Sequence, residues 1–146
     1  RYSVLAFIVF CPLFAAYGEG DQILEDDQNM EFNYCYPEDL VGVTFSFAKN
    51  NGKVFVFEMS ASGEVPVIVQ SGGEEIYQHW ADDNRVEIVH FLDDLNQPYS
   101  CTQWGDSELT GVPPIIDDGS PANTVFDWFE NPNGNGIYAL IVFINH

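Results

Sequence analysis

Positive charge is what this chain has least of. Arg1, Lys49, Lys53 and Arg85 stand against 23 Asp and Glu in 146 residues, giving a formal net charge of −19 and a pI of about 4.1. Phosphate binding needs clustered Lys and Arg, so nucleic acid is excluded as a partner. An anionic membrane surface would repel the chain for the same reason. Calcium, cationic partners and solubility in a salty medium are compatible with this balance. Long apolar runs are missing too. The longest, Val4–Ala16, has about thirteen residues, short of the roughly 20 that a spanning helix needs. There is no Asn-x-Ser/Thr sequon and no C-x-x-C. Ser71-Gly72-Gly73 has neither the Lys nor the spacing of a phosphate loop.

What is present suffices for a folded domain. Apolar residues make up 46% and aromatics 15%, which rules out a disordered acidic tail. Arg1, the apolar run and Ala16-Tyr17-Gly18 follow the order of a secretory signal peptide, expected over residues 1–18, with no stable membrane span after its removal. Residues 19–38 read as an acidic leader, and residues 39–146 as the domain. The expected location is secreted, periplasmic or otherwise extracytoplasmic. Export leaves Cys35 and Cys101 as an even pair in an oxidising compartment, where a disulfide is the default.

Strands are expected at Val43–Phe47, Lys53–Met59, Arg85–Leu92 and Ile137–Ile144, the last three as central strands, with an extended segment at Val112–Asp117. Helices are expected at Glu74–Ala81, within Tyr99–Leu109, and after Asn123, which is placed to cap one. Strands alternating with helices of about ten residues imply βαβ units and a sheet covered on both faces. The Lys53 and Arg85 strands should be parallel, because a helix crosses between them.

In order along the chain, Asn51-Gly-Lys-Val-Phe-Val-Phe-Glu-Met-Ser-Ala-Ser62, Arg85-Val-Glu-Ile-Val-His-Phe-Leu-Asp-Asp94, Val112-Pro-Pro-Ile-Ile-Asp-Asp-Gly119 and Tyr138-Ala-Leu-Ile-Val-Phe-Ile-Asn-His146 resemble segments of the redoxin group of the thioredoxin fold. That group includes TlpA-like thiol–disulfide oxidoreductases and the alkyl hydroperoxide reductase/thiol-specific antioxidant proteins. The resemblance covers roughly residues 39–146. It implies an α/β, thioredoxin-like three-layer sandwich with a mixed central sheet. The family's final strand and helix would follow His146, so the fold is expected without them.

The resemblance also shows departures. Glu64 stands where the family has its nucleophilic Cys, and Val67 where it has the second Cys. A carboxylate cannot form the mixed disulfide, and valine cannot resolve one. Pro66 keeps the family's helix-start proline. Ala139 occupies the position of the family's cis-proline, where a non-proline residue would pay about 2.5–4 kcal/mol to be cis. The resemblance thus implies an exported redoxin-like protein without catalytic residues and without a cofactor, able to hold a protein or peptide in the thioredoxin-fold groove. The alternative is an acidic secreted binding or calcium-associated structural protein.

Other constellations weigh less. Glu64 with His79 or His90 would make an acid–base pair, but both histidines read more simply as surface and strand residues. Cys101 as a displaced peroxidatic thiol has no base or Arg beside it in sequence. Tyr99-Ser100-Cys101 resembles the Y-x-C of immunoglobulin domains, but no Trp follows Cys35 at the required place. Asp93-Asp94, Asp117-Asp118 and Glu130–Asn135 offer oxygen ligands suited to calcium, none in an EF-hand pattern, so no metal ligands are assigned.

Overall fold

The computed structural model describes residues 16–64, 73–107, 112–119, 124–129 and 140–145. These contain the helices α1 (Glu25–Gln28), α2 (Gly73–Trp80) and α3 (Cys101–Gly105), and the strands β1 (Phe32–Tyr36), β2 (Thr44–Phe45), β3 (Val54–Ala61), β4 (Val86–Asp93), β5 (Ile115–Asp117) and β6 (Leu140–Asn145). The strands form one mixed sheet in the order β2-β1-β5-β4-β3-β6.

β3 and β4 make the centre. Val54-Phe-Val-Phe and Val86-Glu-Ile-Val are rich in β-branched and aromatic residues, which favour a pleated, buried strand. They pair in parallel without a break from Val54↔Val86 to Ala61↔Asp93. The turn before β3 ends in Gly52 at φ +86°, which an L side chain would resist. The turn into β4 is tied by Asp83, whose carboxylate accepts the Arg85 backbone N–H and side chain at 2.9 Å. That guanidinium contact holds the Asp83 carboxyl down at about 2. β5 joins β4 in parallel, and β1 joins β5 antiparallel.

The two faces of the sheet differ. Phe55, Phe57 and Met59 of β3, Val89 and Phe91 of β4, and Phe32, Tyr34, Phe45 and Phe47 form a buried, mostly aromatic core. The Phe57 and Phe91 rings are 4.7 Å apart at 62°, within the favoured edge-to-face range. On the other face, Leu92 and Ile115 pack with Cys101 and Trp104 of α3. Ser100 caps α3: its hydroxyl accepts the Gln103 N–H, and Gln103 Oε1 accepts the Ser100 N–H. At Gly105 a Cβ would lie 2.7 Å from the Tyr36 ring, so only glycine lets α3 approach β1 this closely. The Cys35–Cys101 disulfide joins the same two elements, with Cα atoms 6.0 Å apart.

Several expectations change. Phe32–Tyr36, expected within the acidic leader, is the strand β1 of the sheet. Its alternating apolar residues are masked by acidic neighbours when composition is averaged. Tyr17 is also drawn in: its N–H donates to the Trp128 carbonyl, and its hydroxyl donates to Asp27. Of the expected central strand Ile137–Ile144, the part from Leu140 on is β6, paired antiparallel with β3 and last in the strand order among the described residues. Val43–Phe47 shortens to β2 and then turns at Ala48–Asn50. The helix expected after Asn123 is only the 3₁₀ turn Phe126–Trp128. Asn123, the expected cap, lies outside the described residues, and Asp118 accepts the Val125 and Phe126 N–H groups at 2.9 and 3.2 Å. Residues 1–15 of the expected signal lie outside the described residues. Among the described residues no helix is long and apolar enough to cross a membrane.

Candidate functional site

Parallel strands direct their ligand sites to their carboxyl ends, where the connecting loops gather. Here those ends belong to β3, β4 and β5. β3 runs into the 3₁₀ turn Ser62–Glu64. Ser62 is buried, and its hydroxyl donates to the Asp94 carbonyl at 2.5 Å. Gly63 packs so that a Cβ would meet the Gln97 carbonyl at 3.2 Å and Pro98 at 3.7 Å. The loop after β4 is therefore pressed against the turn after β3. It is a tight loop: Asp94 and Asn96 both take positive φ, at 51° and 67°, which Asp and Asn tolerate better than most residues.

Of the positions singled out in the sequence, Glu64 has its backbone in the turn at this end of the sheet. Val67 and Ala139 lie outside the described residues. The cis X–Pro bonds among the described residues precede Pro37 and Pro98, and Pro98 is the proline beside Gly63. His79 is exposed on α2 with its ring against Trp80. Cys35 and Cys101 are bonded to each other across β1 and α3, so Cys101 is no free thiol in this structure.

His90 is placed quite differently from His79. The parallel register sets it directly beside Glu58, with Ser60 one pleat further on the same face. His90 Nε2 is 2.8 Å from Ser60 Oγ, and Nδ1 is 3.4 Å from Glu58 Oε2. With Nδ1 protonated, the imidazole donates to the carboxylate and accepts the serine hydroxyl proton at Nε2. All three are buried, with His90 1% and Glu58 3% exposed, and the Trp104 ring covers His90 at 4.4 Å. Such a chain can hold and pass a proton. At this burial it does not present Ser60 to a substrate. Glu58 Oε1 and Trp104 Nε1 have no hydrogen-bond partner among the described residues. The grouping escapes sequence reading because its members lie 30 and 32 positions apart, and only the β3–β4 register joins them. The one available signal is polar residues inside runs that otherwise read as buried.

The same end of the sheet is acidic. Asp118 is buried, and its carboxyl is pushed up to about 7, chiefly by burial. Its two backbone N–H bonds oppose that rise, while Asp93 and Asp117 add to it. Among the described residues, no three His, Cys, Asp or Glu side chains are grouped to hold a metal ion.

Two of the solved structures with a similar fold are the following. DsbF from MTB, in mixed oxidised and reduced forms, is 15% identical, with a TM-score of 0.53 over 85% of this chain and 89% of that one. Peroxiredoxin Q of Xanthomonas campestris is 12% identical, with a TM-score of 0.51 over 84% and 73%. The chain has a thioredoxin-like fold. Its β3–α2–β4 unit and antiparallel β6 form the mixed α/β sheet of that fold, and the candidate site lies where β3 ends. No protein-family model matches the sequence, and no curated protein sequence matches it.

Proposed function

We propose that the chain is an exported, redoxin-like protein that holds a protein or peptide at the carboxyl ends of β3 and β4, without thiol–disulfide or peroxide turnover. The observation that carries this reading is the route of β3 into Ser62-Gly63-Glu64, while Cys35 and Cys101 are tied to each other between β1 and α3. Thiol chemistry of this class needs an activated thiolate beside the turn that ends β3. In this reading residues 1–18 are the signal and the domain begins ahead of β1, so the Tyr17 contacts with Trp128 and Asp27 belong to the chain before the signal is removed.

Purified protein should not speed insulin reduction or peroxide consumption above buffer containing thiol. Turnover that disappears in Cys101→Ser would overturn the reading and make Cys101 a moved nucleophile. Export is tested separately, by fractionating cells that express the full chain and sequencing the N-terminus of the recovered protein.

A second reading, a calcium-associated acidic protein, has one observation in its favour. Asp118, at the sheet's carboxyl end, is pushed up to about 7, chiefly by burial and further by the neighbouring charges of Asp93 and Asp117. A bound cation would offset the cost of ionising it. A calcium-dependent rise in melting temperature that Asp117→Asn abolishes would favour this reading over the first.

A further inference from the structure

α3 is a helix of five residues tied to the sheet by one covalent bond. A helix this short does not persist alone, since even about 12–15 residues are marginal in water. Its place therefore depends on what holds it. Among the described residues, Cys101 and Trp104 pack with Leu92 and Ile115. Tyr36 lies against Gly105 and hydrogen-bonds to the exposed Asp106. The remaining tie is the Cys35–Cys101 disulfide to β1.

What lies under α3 is polar. The Trp104 ring sits 4.4 Å from the His90 ring, and His90 is bonded to Ser60 and Glu58 beneath it. Glu58 Oε1 and Trp104 Nε1 have no hydrogen-bond partner among the described residues. Water reaching the cluster would meet both, so opening supplies hydrogen bonds that closure forgoes. The segment that leads into α3 is fixed at its start: Ser62 holds the Asp94 carbonyl, and Gly63 packs against Gln97 and Pro98. The length able to swing thus begins after Pro98, at the exposed Tyr99.

We propose that the Cys35–Cys101 disulfide is a redox gate over the Glu58–Ser60–His90 cluster, opened by a dithiol reductant. Cys35 is half-buried and Cys101 is buried, so Cys35 takes the attack. A reductant thiolate bonds to Cys35 Sγ, and Cys101 leaves as a thiolate and takes up a proton. The reductant's second thiol then displaces Cys35, which is protonated in turn. Two electrons and two protons pass, leaving two thiols here and a disulfide on the reductant. With the bond open, α3 lifts, Trp104 leaves His90, and the cluster meets water. One reduction changes the cover and no substrate is turned over. The gate stands whether or not the turn after β3 binds a peptide.

The test is diethyl pyrocarbonate labelling of the full chain, read residue by residue by mass spectrometry, before and after dithiothreitol. His79 is exposed on α2 and should label at one rate in both states. His90 should label about tenfold faster or more after reduction, and return to its first rate on reoxidation. The Cys35→Ser/Cys101→Ser variant should label as the reduced protein does and ignore dithiothreitol. Hydrogen exchange separates a gate from unfolding, because the β3 and β4 amides should stay protected in the reduced protein. Unchanged His90 labelling, with both thiols shown free by alkylation, would overturn the proposal. So would loss of β3 and β4 protection together with the labelling, since the disulfide would then staple the whole fold. A disulfide that dithiothreitol leaves intact without denaturant overturns it as well.

Discussion

The two faces of the central sheet come from alternate residues of the same two strands, yet they are built on different terms. Phe55, Phe57 and Met59 face Val89 and Phe91 in an aromatic core, where burial and edge-to-face packing act without directional demands. One residue along, Glu58, Ser60 and His90 are buried just as deeply and must satisfy one another. The first face tolerates small losses in proportion to the volume removed. The second is a linked set, where removing one member strands the others. The cover over that polar face is also the part of the fold held by a disulfide, since Trp104 and Cys101 sit on the same short helix.

The largest effect should come from the aromatic face. Phe57→Ala removes a ring packed against Phe45, Phe47, Phe55 and Phe91, and should cost about 3–5 kcal/mol, read as a lower urea midpoint at unchanged slope. Next comes the tether over the polar face. The Cys35→Ser/Cys101→Ser variant opens a link between residues 66 positions apart and should cost about 2–5 kcal/mol. It should also change the near-ultraviolet signal of Trp104, because α3 loses its bond to β1. Loss of stability with that signal intact would mean that the disulfide acts on the unfolded chain alone.

Asp118 gives a pH-dependent test. Its carboxyl sits near 7 in the fold against an ordinary value of 3.8, so between about pH 4 and 7 the folded state holds a proton that the unfolded state has released. Stability from this group is full below about pH 4, falls as pH rises to about 7 and is flat above. Asp118→Asn should therefore gain on the parent across that window, on the order of 2–4 kcal/mol, and keep a constant offset at higher pH. A constant offset throughout would mean that the carboxylate is ionised in the fold.

The polar face itself is tested by a pair of variants. His90→Ala leaves Glu58 and Ser60 buried without their shared partner and should cost about 2–3 kcal/mol. Replacing Glu58 and His90 together by leucine should recover part of that, because the carboxylate is no longer buried without its partner and only the Ser60 hydroxyl is left unmet. Equal losses in the single and double variants would erase the distinction between the faces.

Sequence reading reached the parts that local pattern controls. The runs at Lys53 and Arg85 are continuous and β-branched, and both strands form, parallel, with α2 between them. β6 is legible as a strand, but its place last in the described strand order is not, because an all-apolar run looks the same wherever a sheet has room for it. β1 is hidden by the acidic residues around it. Asn123 lies outside the described residues, and the Val125 and Phe126 N–H groups are met by Asp118 through a chain reversal that no spacing rule reports. At the site, Glu64 can be named from the order of segments. Glu58, Ser60 and His90 cannot, since their meeting depends on register between strands some thirty residues apart.

The smallest expected effect lies at the rim of the aromatic face, where Lys53 and Glu87 meet at 2.5 Å with side chains 31% and 20% exposed. This is again a pairing of β3's neighbourhood with β4, but in contact with water. Glu87 also adds to the burial that drives the Tyr34 hydroxyl up to about 12. The coupling in a Lys53→Met/Glu87→Gln double-mutant cycle should stay below about 1 kcal/mol and shrink in about 0.5 M salt. The two single variants should not be equal. Lys53 is one of four cations in a chain of net charge −19, so its loss adds to self-repulsion, whereas neutralising Glu87 relieves it. Lys53→Met should therefore be the more damaging at low salt, with the gap closing as salt screens the field. A coupling larger than that between Glu58 and His90 would show that burial does not separate the two pairs.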